Sequence, residues 1–100
     1  MIYLEEKYLN TVKKILSEYK KRIDKVYVFG SRTREKHKKY SDLDLAIKFI
    51  TGTDKNTLLF IKDAFENSEL PIEVDVVDLE EISDEFKNAI AKSLIEINMN

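Results

Sequence analysis

The chain of 100 residues has no cysteine, a single histidine, a single proline and only two glycines. Without cysteine there are no disulfides and no thiolate zinc sites. With His37 alone, a histidine-rich metal centre is excluded, and nothing has the layout of a Ser-His-Asp or Cys-His hydrolase. No apolar run approaches the length of a membrane span. The opening residues MIYLEEKYLN lack a signal-peptide layout, so a reducing cytoplasm is the expected address. The net charge of −2 argues against a strongly basic nucleic-acid binder overall. Basic residues nevertheless crowd between Arg32 and Lys39, which leaves triphosphate, RNA or an acidic protein open as what that run meets. A composition 43% hydrophobic and 36% charged is that of a folded domain. One domain over residues 1–100 is expected, with a small core and little excess stability.

Leu4, Tyr8, Val12, Ile15, Leu16 and Tyr19 recur at helical spacing, which predicts an amphipathic helix over about residues 4–22. KVYVFG reads as a short strand ended by Gly30. SRTREKHK has no apolar face and is a short exposed helix or a loop. SDLDLAIKFI alternates, with Leu43, Leu45 and Ile47 on one side and Asp42, Asp44, Ala46 and Lys48 on the other, as in a strand with one face in the core. TGTDKN supplies turn residues before a second helix marked by Leu58, Ile61 and Phe65. Pro71 can open a strand that continues through IEVDVVDL. Asp78 and Glu81 have capping-box spacing ahead of a last helix striped by Ile82, Phe86, Ile90, Leu94 and Ile97. The expected fold class is α/β in the α+β sense: a small mixed three-stranded sheet with helices packed on one face.

Asp42 and Asp44 lie two residues apart on a strand and so point the same way, roughly 6–7 Å apart. If IEVDVVDL is the neighbouring strand, Asp75 joins them. Carboxylates converging on one face repel each other unless a cation sits between them. Oxygen-only donors suit Mg²⁺, or Mn²⁺ in its place, and not zinc. Gly30 and Ser31, at a strand end before a helical turn, let backbone approach a ligand and offer N–H groups and a hydroxyl to an anion. Arg32 and Arg34 add guanidinium donors that suit phosphate. This is equipment for phosphoryl or nucleotidyl transfer.

Each feature has a plainer reading. An exposed D-x-D is more often solvated surface than a metal site, Gly-Ser after a strand is usually a turn and N-cap, KHKK is usually a solvated face, and Asp75 can be the polar side of an edge strand. Their co-occurrence in this order is what favours a site. Competing motifs fail: there is no G-x-x-x-x-G-K-[ST]. An EF-hand loop counted from Asp42 would put Ile47 at its glycine and Thr53 at its glutamate.

GSRTREKHKKYSDLDLAI followed by IEVDVVDL resembles the nucleotidyltransferase superfamily of DNA polymerase beta and kanamycin nucleotidyltransferase. More closely, it resembles the minimal MNT-domain members that pair with HEPN-domain partners in toxin–antitoxin modules. The resemblance covers nearly the whole chain and implies the minimal nucleotidyltransferase fold. It implies that Gly30 and Ser31 hold the nucleotide phosphates and that Arg32 and Arg34 are the paired arginines of the G-S-R-x-R pattern. Asp42 and Asp44 are implied as metal ligands, and Asp75 as the third carboxylate, which helps hold the metal and favours deprotonation of the acceptor hydroxyl. Two Mg²⁺ ions and ATP or another nucleoside triphosphate follow from it. An acceptor hydroxyl attacks the α-phosphorus and pyrophosphate leaves. The implied acceptor is a tyrosine of a helical HEPN-type toxin, silenced by the added nucleoside monophosphate. One departure is Glu35, where many minimal members carry glycine.

Three functions remain open on this reading: a protein-modifying antitoxin enzyme, an antitoxin that neutralises by binding alone, and the nucleotidyl-transfer subunit of a small-molecule-modifying enzyme. The short chain leaves little room for an acceptor-binding domain, which disfavours the third. Three adjacent acids disfavour the second. Ala91, Ile95 and Met99, on another side of the last predicted helix, are expected either to widen the core or to offer a second surface to a helical partner or a second copy of the chain.

Overall fold

The computed structural model describes residues 1–35 and 37–99. The chain runs α1 (Glu6–Ser17), β1 (Ile23–Phe29), a 3₁₀ turn (Gly30–Thr33), β2 (Leu43–Phe49), α2 (Asn56–Glu66), β3 (Val74–Asp78), α3 (Asp84–Ile90), a second 3₁₀ turn (Ala91–Ser93) and β4 (Ile95–Glu96). The sheet order is β3-β2-β1-β4. β2 pairs antiparallel with β1 and parallel with β3, and α2 makes the crossover that a parallel pair requires. The sheet is therefore mixed, as expected.

Strand alternation divides the core in two. Val26 and Val28 of β1, Leu43, Leu45 and Ile47 of β2, and Val76 of β3 face α1 and α2, where they meet Val12, Leu16, Ile61 and Phe65. Most of these side chains are fully buried. At roughly 1.5–3 kcal/mol for each large apolar side chain, this layer is the main stabilising term. On the opposite face Phe29 and Ala46 pack with Ile90 of α3. Phe86 of α3 meets Phe29 edge-on, with ring centroids 5.9 Å apart.

Two details of the expected architecture change. The sheet gains a fourth, two-residue strand, and the third helix covers the other face instead of joining the first two. Both follow from the last apolar stripe. Its spacing fits a helix, but the helix stops at Ile90. Ile95 then pairs with Val28, and the Ile97 N–H donates to the Val26 carbonyl at 2.8 Å, which buries Ile97 against the first layer. The free edge of β1 wins over helical continuation because it satisfies backbone groups and buries the β-branched Ile97 in the core. Of the two outcomes expected for Ala91, Ile95 and Met99, Met99 widens the core, and among the described residues they form no second apolar helix face, since Ile95 lies in β4.

Other boundaries shift for local reasons. α1 ends at Ser17 because Lys20-Lys21-Arg22 offers nothing to bury before the chain reverses into β1. β3 starts at Val74, after Pro71, and its approach is fixed by the Leu43 N–H on the Glu73 carbonyl at 3.0 Å. Asp78 does not cap the last helix. It accepts the Glu80 N–H in a turn, and Ser83 is the N-cap, taking the Phe86 N–H at 3.1 Å.

Candidate functional site

The parallel register sets Asp44 directly beside Asp75 on the adjacent strand, and adjacent strands lie about 4.8 Å apart. Asp42 lies just ahead of β2, two residues before Asp44, near enough for its charge to act on the Asp44 carboxyl. Phe29, the residue before Gly30, sits opposite Asp44 on the other side. The sheet thus brings the expected carboxylates and the expected phosphate turn to one end of its α3 face.

Gly30 shows how tight this junction is. Its φ is +76°, a left-handed conformation that glycine adopts without strain. A Cβ there would run into the Asp44 carboxylate, with the Oδ2 atom overlapped and Cγ at 3.4 Å. The glycine therefore does two things: it turns the chain out of β1 and it leaves space for the Asp44 carboxylate.

Asp44 is half-buried, and its pKa is pushed up to about 6, first by desolvation and then by the neighbouring charges of Asp75 and Asp42. Concentrated negative charge of this kind is what a divalent cation relieves. Among the described residues no three acidic or imidazole side chains close into a ready-made metal cage. Mg²⁺ commonly keeps several waters and binds carboxylates together with substrate phosphates. The donor set fits such an ion.

The 3₁₀ turn Gly30–Thr33 is shorter than a helix, and its first N–H groups lack intrahelical partners. The Thr33 hydroxyl closes the turn by donating to the Gly30 carbonyl at 2.6 Å. Ser31 is half-buried beside it, and Arg34 is exposed with no ion pair among the described residues. Arg32 is 5% exposed, and its guanidinium donates to the carbonyls of Tyr3, Lys39 and Ser41. The expectation that Arg32 grips phosphate is therefore corrected: its donors are already committed to the protein. Glu35 is exposed.

A cleft of about 710 Å³ opens beside the carboxylates, lined by Asp44, Asp75, Phe29, Phe86, Lys62 and Glu66. The two aromatic rings and the α2 residues of this wall were not singled out in the sequence. Alternation in β1 places Phe29 on the aspartate face, and that signal was available. Phe86 read as a core stripe residue, and only the crossing of α3 to this face brings it here.

The chain resembles known proteins along most of its length. The family described as Polymerase beta, Nucleotidyltransferase matches residues 10–99. The "Probable protein adenylyltransferase MntA" of Haemophilus influenzae is 43% identical over 72 residues, which are 72% of this chain and 63% of that protein. The chain thus spans less than two thirds of that relative's length. Among solved structures, a candidate minimal nucleotidyltransferase superposes with a TM-score of 0.73 at 26% identity, over 92% of this chain and 94% of the other. A crystal structure of a toxin–antitoxin with AMP-PNP superposes with a TM-score of 0.71 at 23% identity, over 88% of this chain and 70% of the other. No helix among the described residues is long and apolar enough to cross a membrane.

Proposed function

The chain belongs to the polymerase beta nucleotidyltransferase family, and from that premise we propose that it moves a nucleoside monophosphate from ATP to a protein hydroxyl. The recipient is a tyrosine of a HEPN-type toxin, and the chain acts as that toxin's antitoxin. The observation that carries this reading is Asp44 beside Asp75 in register, with Asp42 close enough to raise the Asp44 pKa and Gly30 against the Asp44 carboxylate. The Haemophilus relative named as a protein adenylyltransferase supports the reaction class, and the similar toxin–antitoxin structure with AMP-PNP supports the nucleotide and the partner. A cytoplasmic address belongs to the same proposal.

The residues divide the work by chemistry. The turn at Gly30 and Ser31 holds the β- and γ-phosphates through backbone N–H groups and the serine hydroxyl, and Arg34 neutralises them from solvent. Asp42 and Asp44, together with Asp75, would hold Mg²⁺. When bound, the ion offsets phosphate charge and acidifies a hydroxyl. Asp75, on the edge strand, borders the open cleft, so the acceptor enters there. Its oxygen bonds to the α-phosphorus as the bond to pyrophosphate breaks, and the hydroxyl proton passes to carboxylate or solvent. Phe29 and Phe86 give the cleft an apolar wall suited to an aromatic side chain.

The test is an intact-mass spectrum of the toxin encoded beside this chain, after incubation with the chain, Mg²⁺ and each nucleoside triphosphate. Mass steps of one nucleoside monophosphate that disappear with Asp42→Asn/Asp44→Asn are expected. An unmodified toxin held in a stable complex would instead mean neutralisation by binding.

A further inference from the structure

We propose that Arg32 is a positioning residue, a buried clamp that sets where Asp42 stands; this rests on Asp42 holding the metal, as proposed above. The guanidinium reaches two stretches of chain at once. Nε and Nη2 both donate to the Ser41 carbonyl, at 3.2 and 2.9 Å; Nη2 also donates to the Lys39 carbonyl at 3.1 Å, and Nη1 to the Tyr3 carbonyl at 3.2 Å. In return the Tyr3 N–H donates to the Arg32 carbonyl at 2.8 Å.

The forked contact matters because the Ser41 carbonyl belongs to the peptide plane that leads into Asp42. That plane is rigid, so holding its oxygen at two points fixes the direction in which the next residue leaves. Arg32 itself lies two residues after Gly30, inside the 3₁₀ turn. One side chain thereby locks the phosphate turn to the start of the metal strand. Among the described residues it has no acidic partner. A cation buried on carbonyls alone is a costly way to fill space, and an apolar side chain would stabilise the fold more cheaply. Ordering of the loop before Asp42 accounts for it.

Lysine keeps the charge but lacks the fork that spans these carbonyls. Arg32→Lys is compared with Tyr3→Pro, which removes the return N–H together with the ring that faces His37, and with Tyr3→Ala, which removes the ring but keeps the N–H. Two quantities are read: the rate of tryptic nicking after Arg34, Lys38 and Lys39, and the affinity for Mn²⁺ by calorimetry. Arg32→Lys retains the tryptic site at position 32, so the nicking comparison is fair. Losing one or more buried hydrogen bonds predicts nicking about tenfold faster in Arg32→Lys and Tyr3→Pro, with Mn²⁺ bound at least about threefold more weakly. Tyr3→Ala stays near wild type in both. Unchanged nicking in Arg32→Lys and Tyr3→Pro overturns the clamp, as does a raised KM for ATP with nicking unchanged, which would mean direct phosphate contact. Faster nicking at unaltered Mn²⁺ affinity overturns the link to Asp42. Asp42→Asn, titrated alongside, separates the two ideas: if it binds Mn²⁺ normally, the metal assignment fails, while the clamp is judged by nicking alone.

Discussion

Asp44→Asn is predicted to stabilise the metal-free protein at pH 8 while destroying its ability to be stabilised by Mg²⁺. The Asp44 pKa is raised from 3.8 to about 6 in the fold. A carboxyl raised in this way favours the folded state most when it is protonated, below pH 3.8. That contribution is lost as pH rises through about 6, so above that value the ionised group works against folding. The full shift corresponds to ~3 kcal/mol. Asp44 is only half-buried, and solvent screening reduces this to about 1–1.5 kcal/mol. For a chain of this length the asparagine variant should then melt about 4–10 °C higher at pH 8, and nearly level with wild type at pH 4. Added Mg²⁺ should raise the melting temperature of wild type through binding linkage, and leave the variant almost unmoved. Thermal scans by circular dichroism at both pH values, with EDTA or with Mg²⁺, measure all four cases. A variant that melts lower than wild type at pH 8 without metal, or whose difference is the same at pH 4 and pH 8, would refute the electrostatic account of this site.

Gly30→Ala is expected to cost about 1–2 kcal/mol for the left-handed backbone and to abolish transfer through the clash with Asp44. Gly52→Ala is its control: φ is +87° but nothing lies within 4 Å, so a similar or smaller stability loss should leave transfer unchanged. Melting scans and the mass assay distinguish the pair. Leu45→Ala, at a fully buried position of the first core layer, should cost about 2–5 kcal/mol by urea titration. Ser83→Ala removes the N-cap of α3 and should cost about 1 kcal/mol in the same titration.

Much of this arrangement is legible in the sequence because it depends on local periodicity. The alternation of Leu43, Leu45 and Ile47 with Asp42 and Asp44 identifies both the buried side of β2 and the acidic side, and β1 and α2 are equally plain. What escapes is decided by distant partners. Leu94 and Ile97 continue a helical stripe from Ile90, and only the unpaired edge of β1 makes the extended alternative better. Arg32 beside Gly30-Ser31 reads as a phosphate ligand, and one of its hydrogen-bond partners is Tyr3, 29 positions away in sequence. Phe86 enters the cleft wall because α3 crosses to the second face, a consequence of Ile90 packing on Phe29 and Ala46. Local pattern reveals which residues share a face. It does not reveal which distant carbonyl a long side chain will reach.

The most direct measurement is anomalous diffraction from crystals grown with Mn²⁺ and AMP-PNP. The account predicts manganese peaks against the carboxylates of Asp42 and Asp44, with the phosphates at Gly30 and Ser31 and Arg32 still turned inward on Ser41. Nucleotide bound elsewhere, or manganese away from those two aspartates, would contradict it.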